Sequence, residues 1–561
     1  MIKINLIMKE YKISLKYLVL FTLFATNLVD QPAPEVVIEQ GTLSGITNGD
    51  GSIFEYVGIP YGVANSSNRF QAPFPPPSWK GVFKATDGTV SCPQKTALGV
   101  SGVEDCLKIN IYVPATAKKP IPVMFYIHGG AFVLGSGGKL LLGPEFLVKH
   151  NVILVTFNYR LGALGFLCLG IKEAPGNAGL KDQLAALRWV KKNIAAFGGD
   201  PDNITIFGES AGGTSVSLFI ASEATEGLFN KAIVQSGSSI ASWSINSKPI
   251  LAATLFTKAL GHKTKDPKEI YEILSKTSVS KLVNTKVKKN NTLFFDTELI
   301  HLPCIEEPLT DVEPFLTDLP YNQIDKKRKN LTLMYGTMSR EGLFLISGET
   351  DESLEQRNNL YVFASDLQFE TKTKADSISR KVKQFYYGDE IINRNKLMKV
   401  EDQYTHLYFE IPSQLEAEHF VTKKNLTVYN YYFDYSGNRN FLKFLSGYYN
   451  EKGACHADEL LYLFKGTSWP FWINEADRQM IDWMTRMWTN FAKYGDPTPD
   501  EDENIPIKWK PSDRNGLRFI YIDSELKMGP IPNPEAYELW KDIYTKHRRR
   551  DLKKPPLLKE S

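Results

Sequence analysis

The chain has 561 residues, 43% hydrophobic, 23% charged and 12% aromatic. These ordinary proportions exclude a disordered chain, a collagen-like repeat and a multi-span membrane protein. Sixty-six basic residues stand against 63 acidic ones, and the net +3 arises at the two ends. The body between is acidic overall, so no basic face for nucleic acid is expected.

At the N-terminus Lys3, Lys9, Lys12 and Lys16 precede the apolar run from Tyr17 to Val29. A positive segment followed by a short apolar one reads as a signal peptide within residues 1–29, starting at Met1 or Met8. No other run reaches the length of a membrane span, and the C-terminal LLKES carries neither a retention signal nor a lipid-anchor tail. Secretion without a stable membrane anchor is the expectation. Cys92 and Cys106 are spaced to close a small disulfide loop in an oxidising compartment, two free buried thiols being the other reading. Five cysteines in all argue against a disulfide scaffold. Glycosylation sequons lie at Asn65, Asn203, Asn290, Asn330 and Asn425; Asn203, which opens an apolar motif region, is the weakest acceptor.

From about 105 to 235, short apolar runs alternate with helical ones. Strands are predicted at 107–113, 123–127, 152–158, 204–207 and 232–236, with an antiparallel start. Helices follow over 178–197 and from Ser210, and further strands at 331–335, 427–433 and 517–523 extend the series. Fully apolar strands alternating with helices predict an α/β fold whose largely parallel sheet is covered on both faces. The more charged, helical stretches 245–325 and 350–425 read as peripheral or lid elements. No linker or repeat divides residues 30–545, and the basic residues of 546–561 read as a solvated tail.

Gly208, Glu209, Ser210, Ala211 and Gly212 stand between a strand and a helical run, where a strained turn needs small residues around an exposed nucleophile. The helix that follows points its first backbone donors at a developing oxyanion. A serine nucleophile needs a base and a carboxylate to orient it. Glu341 lies just past the strand at 331–335, and His456 lies in a small-residue loop. The order Ser210, Glu341, His456 is that of α/β-hydrolases. His456 also admits reading as a packing histidine. His128 competes as base, but it precedes Gly129, Gly130 and Ala131, where an oxyanion loop belongs.

With EDCLKINIYVP (104–114), IHGGAF (127–132), NYRLGALGFL (158–167), the run from Gly176 through the serine motif, GACHADELLYLF (453–464) and WTNFAKYGDPTP (488–499), the chain resembles the type B carboxylesterase and cholinesterase family from about 35 to 545. In detail it looks similar to secreted general esterases of insects. The resemblance implies an α/β-hydrolase fold with insertions over an active-site gorge. It implies Ser210 as nucleophile, Glu341 as acid, His456 as base, and an oxyanion hole from the amides of Gly130, Ala131 and Ala211. It further implies a Cys92–Cys106 disulfide, buried ion pairs Arg69–Glu104 and Arg160–Asp182, supporting roles for Glu209 and Ser236 near the triad, and Trp243 as a wall of the acyl pocket. Many relatives have a third glycine where this chain has Ala131. The amide donor remains, while the methyl narrows the room beside the carbonyl.

The activity this implies is a secreted serine carboxylic-ester hydrolase acting on small neutral esters, open to organophosphate inhibition and needing no metal or organic cofactor. Two other functions are compatible with the fold. A juvenile hormone esterase usually shows Gln at the position of Glu209. Non-catalytic adhesion members of the fold typically lose the nucleophile and carry a membrane span, whereas this chain keeps all three triad residues. A cholinesterase needs an aromatic face for its cation. The family places that tryptophan in the segment matching 93–105, which here has no aromatic residue.

Overall fold

The computed structural model describes residues 31–117, 120–287, 299–324, 331–467, 473–500 and 502–551. The leader, Asn290, Asn330 and the tail beyond residue 551 lie outside them. Val, Ile, Phe and Tyr dominate the strands, as a sheet buried on both faces requires. The strands, in chain order, are β1 (Ile46–Thr47), β2 (Ile53–Pro60), β3 (Lys108–Pro114), β4 (Ile121–Ile127), β5 (Ile153–Phe157), β6 (Gly199–Glu209), β7 (Lys231–Gln235), β8 (Thr332–Met338), β9 (Thr427–Phe433), β10 (Phe519–Ile522) and β11 (Leu526–Gly529). They form one sheet ordered β11-β10-β9-β8-β7-β6-β4-β5-β3-β2-β1. From β4 to β10 every pairing is parallel; β3, β2, β1 and β11 run antiparallel at the margins. The expected antiparallel start is therefore present, while β1 and β11 are short, partly exposed strands and β2 is a longer one whose apolar residues are interrupted by Glu55 and Gly58, so apolar patterning did not single them out.

Alternate residues of each strand supply the two cores. Val123, Phe125 and Ile127 of β4 face one side with Ile206 and Val234, whereas Met124 and Tyr126 face the other with Phe207 and Ile233. Helices α1 (Ala178–Asn193), α2 (Ala211–Ala221) and α3 (Ile411–Lys424) contribute to the first core, and α4 (Glu475–Tyr494) to the second. The predicted helix 178–197 divides: its last turn, Ile194–Phe197, is 3₁₀, and Gly198 at φ 86° ends it. The stretch 350–425 is helical as expected, with its own apolar cluster around Val362, Phe363 and Val382.

Long-range ties hold the loops above the strand ends. Arg160 meets Asp182 at 2.6 and 2.7 Å, fully buried. Arg69 forks onto Glu104 at 2.7 and 3.0 Å but is only partly buried. Cys92 and Cys106 are bridged. A second bridge, Cys168–Cys304, spans 136 residues, and Cys455 is free and buried. Asn177 and Lys181 of the α1 region reach Glu306 beside that second bridge, at 2.8 and 2.6 Å.

The tail departs from expectation. Helix α5 (Pro534–His547) continues into Arg548, whose guanidinium lies 4.3 Å from the ring centre of Tyr544 and donates to the Ile240 carbonyl at 3.1 Å. The Arg549 amide donates to the Asp366 carbonyl at 2.8 Å, and both arginines are largely covered. Arg548 and Arg549 are thus packed rather than solvated, Arg548 because a guanidinium plane stacks on an aromatic ring at little desolvation cost, while Lys546 and Arg550 are exposed as expected. Asn65 and Asn425 are exposed, while Asn203 is half-buried and accepts from Lys231 at 2.5 Å.

The long disulfide yields a prediction. Replacing Cys168 and Cys304 together by Ala should lower unfolding free energy by about 2–5 kcal/mol, because a long closed loop is released in the unfolded chain. Urea midpoints of the two purified proteins measure it; a change below about 0.5 kcal/mol would show that the bridge contributes nothing net.

Candidate active site

The carboxyl ends of the parallel strands converge on one side of the sheet, the place where open α/β sheets bind ligands. His128 follows β4, Ser210 follows β6, Ser236 follows β7 and Glu341 lies three residues past β8. Ser210 sits at φ 58°, ψ −122°, between β6 and α2. The turn tolerates this only because its neighbours are bare: a Cβ on Gly212 would lie 2.0 Å from the Ile127 carbonyl oxygen, and one on Gly208 would lie 2.6 Å from the Gly212 backbone. Ser236, the next strand-end serine, is also left-handed at φ 48°.

Glu341 is fully buried. Its Oε1 accepts from Ser236 Oγ at 2.6 Å and from the Met338 amide at 2.8 Å. Its Oε2 pairs with His456 Nδ1 at 2.6 Å. That leaves His456 Nε2 facing the cavity that Ser210 also lines. The imidazole is stacked on Phe344, 4.9 Å away at 23°, and Phe409 lies 4.5 Å away. Phe409 reaches this place on a π-helical turn, Thr405–Glu410, leading into α3. His128 lines the same cavity but is stacked on Tyr159 and bonded to the Gly129 carbonyl; burial lowers its pKa to about 4. Of the two histidines the sequence offered, His456 has the carboxylate.

Opposite Ser210, Gly130 (φ 107°) and Ala131 (φ 54°) form a left-handed loop. Among the described residues no protein acceptor takes the amides of Gly130, Ala131 and Ala211. Three free donors near one serine can accept an oxyanion. Ala131 adopts the conformation a third glycine would, at a cost of about 1 kcal/mol in backbone strain.

Charge around His456 is unusually dense. Glu209 Oε1 lies 3.1 Å from Nε2, and Glu459, bonded to Gln235 at 2.9 Å, is buried nearby. Burial opposes the charged imidazolium, but Glu209 and Glu341 outweigh it and the His456 pKa rises to about 9. Burial raises Glu209 as well, against the pull of His456. Burial and the neighbouring Glu209 and Glu341 push Glu459 well up. The sequence reading did not assign Glu459, although its place three residues after His456 was a usable signal. Phe344 and Phe409 carried none, because each sits in a single short helical turn with no apolar period to mark it.

The cavity measures about 1410 Å³ and is walled by Trp243, Leu134, Tyr404, Tyr408 and Phe441 beside the groups named above. Trp243 is anchored by its Nε1, which donates to the Tyr408 carbonyl at 2.9 Å. The segment 93–105 contributes only Gln94 to this wall among the described residues.

With that geometry in hand, comparison with known proteins is informative. The family model described as the carboxylesterase family matches residues 32–540. Esterase FE4 of Myzus persicae is 31% identical over 520 residues, covering 88% of this chain and 90% of that protein. The juvenile hormone esterase of Tribolium castaneum is 35% identical over 487 residues, 80% of this chain and 81% of the other. The crystal structure of juvenile hormone esterase from Manduca sexta, with OTFP covalently attached, superposes with a TM-score of 0.77 at 27% identity, covering 91% of this chain and 99% of that one. An α/β-hydrolase sheet, a family model that matches most of the chain and relatives that are themselves esterases lead to one conclusion: the chain belongs to the carboxylesterase family and is a carboxylic-ester hydrolase.

Proposed function

We propose that Ser210, His456 and Glu341 hydrolyse neutral carboxylic esters through an acyl-enzyme. The observation that carries this reading is the left-handed Ser210 sharing a cavity with an imidazole whose far nitrogen is held by a buried carboxylate. Ser210 Oγ attacks the ester carbonyl while His456 Nε2 takes its proton. The negative oxygen is received by the amides of Gly130, Ala131 and Ala211, and Glu341 steadies the imidazolium at Nδ1. Collapse expels the alcohol, which leaves with the proton from Nε2. Water then enters, is deprotonated by the same nitrogen, and releases the acid and Ser210. Each oxyanion donor in such a site contributes about 2.7–4 kcal/mol to the transition state.

Two disulfides, one short-range and one long-range, suit an oxidising compartment, which together with the leader sequence supports export of the protein. The likeness to two juvenile hormone esterases favours a second reading, hydrolysis of that hormone. Glu209 speaks against it on the residue pattern noted above. A kcat/KM panel spanning aryl acetates, long-chain acyl esters and the hormone separates the two.

Ser210→Ala should abolish ester hydrolysis in folded protein; retention of more than about a thousandth of wild-type kcat would mean another nucleophile, since a broken triad leaves only residual catalysis.

A carboxylate beside Nε2 stabilises the imidazolium, so it holds the base in its inactive, charged form to higher pH. Glu209→Gln removes that charge, the His456 pKa falls, and the acid limb of kcat/KM should move down by about one pH unit. A limb that stays put or moves up would show that Glu209 does not act on His456 electrostatically.

Naphthyl acetate should be hydrolysed with higher kcat/KM than acetylthiocholine, because the cation must shed water without the aromatic face that segment 93–105 lacks. The reverse order would refute neutral-ester preference. Paraoxon should leave a diethyl phosphoryl group on Ser210, read by mass spectrometry of tryptic peptides; a modified residue elsewhere would displace Ser210 as the nucleophile.

A further inference from the structure

Behind the loop 236–244 sits a carboxyl group that the chemistry above does not use. Glu416, on α3, is fully buried. Its Oε1 accepts from Ser217 Oγ at 2.7 Å and from Ser239 Oγ, and its Oε2 accepts from Ser238 Oγ at 2.8 Å. Ser217 Oγ also accepts from the Ser239 amide at 2.9 Å, Ser238 Oγ from the Ile240 amide at 3.2 Å, and Ser244 Oγ donates to the Ser239 carbonyl at 2.7 Å. No Lys or Arg pairs with Glu416 among the described residues; the three hydroxyls are its compensation. A buried carboxylate without a cation is expensive, and an apolar side chain of similar size would pack the same space more cheaply. Packing alone does not account for it.

What the cluster holds is informative. Ser217 lies about two helical turns along α2 from Ser210. The loop that Ser238 and Ser239 belong to begins at Ser236, which donates to Glu341. Seven residues on it carries Trp243, in the cavity wall, bonded to the Tyr408 carbonyl and 5.8 Å from the Phe409 ring that lies beside His456. Glu416 therefore joins the nucleophile's helix to a loop that supports the acid at one end and walls the cavity at the other.

We propose that Glu416 is a positioning residue that sets acyl-group selectivity by holding the loop 236–244 against α2, so that Trp243 and Ser236 stay in register with Ser210. This rests on the reading of Ser210, His456 and Glu341 as the reacting set. Without the carboxylate, Ser238 and Ser239 lose their shared acceptor, the loop relaxes away from α2, and the space beside Trp243 widens. Long acyl groups then gain relative to acetate, and the acetate reaction loses kcat because Ser236 no longer presses on Glu341.

The test compares wild type, Glu416→Ala and Glu416→Gln on 4-nitrophenyl acetate and 4-nitrophenyl octanoate, with active sites counted by paraoxon titration. Glu416→Ala should lower kcat for acetate about tenfold per titrated site and shift the octanoate-to-acetate ratio of kcat/KM about fivefold toward octanoate. Gln keeps the shape and one strong acceptor, and the serine hydroxyls rotate to suit its amide, so it should restore both to within about threefold of wild type. A Glu416→Ala protein that loses titratable sites but keeps wild-type kcat and ratio per site would overturn the proposal, leaving Glu416 a folding residue. Should Glu416→Ala not fold, Ser239→Ala removes one donor with little volume and must shift the same ratio in the same direction; an unchanged ratio there is equally fatal. A wild type inactive on both esters would instead bring down the reading of Ser210 itself, and this one with it.

Discussion

Ser210 is held in a left-handed backbone conformation where β6 gives way to α2, and the contact of Gly208 and Gly212 with the end of β4 keeps it there. The torsion costs about 1–3 kcal/mol, and a rigid parallel sheet is what over-determines it. Other elements of the site are placed relative to that turn. The amide of Ala211 is left without a protein acceptor because α2 begins there, and β4 and β7, which flank β6, deliver the Gly130–Ala131 loop and Ser236 to either side. A sheet of central parallel strands with apolar residues on both faces leaves no slack for the turn to relax into a commoner shape.

The second constraint is electrostatic. Three carboxylates, Glu209, Glu341 and Glu459, share a buried region with one imidazole. Only Glu341 has a full set of fixed donors, which defines it as the orienting partner of Nδ1. Burial and Glu341 raise Glu209 against the pull of His456, and burial with Glu209 and Glu341 pushes Glu459 well up, so the region disfavours three simultaneous negative charges. The aromatic rings of Phe344 and Phe409 keep water from dissipating these interactions and restrict the imidazole to one plane.

Much of this was legible in the sequence for a physical reason. The buried strands are continuous apolar runs, and the glycines and serine of 208–212 are local demands of one turn; both leave short, readable patterns. Glu341 and His456 were legible by order and by their place after a strand or in a small-residue loop. What stayed hidden depends on contacts remote in the chain. The Cys168–Cys304 bridge joins cysteines 136 residues apart with no spacing rule. Glu416 resembles any polar residue on an amphipathic helix until three serines from two other segments close around it. Arg548 looked like solvated charge because composition records sign and not the rings of Tyr321 and Tyr544 that receive it.

That arginine bears on how the protein is made. Arg548 clasps the carbonyl of Ile240, in the middle of the loop that runs from Ser236 to Trp243 in the cavity wall, and the two residues are 308 positions apart. During synthesis at about 5–20 residues per second, the ribosome delivers the loop some tens of seconds before its clasp. Through that interval the nascent chain holds the central strands of the sheet and the serine turn, but the back of the acyl-side loop is open. Translation therefore orders the parts in time: β1–β7 and the serine turn emerge before the loop, β8–β11 during the interval, and the arginine that clasps the loop last.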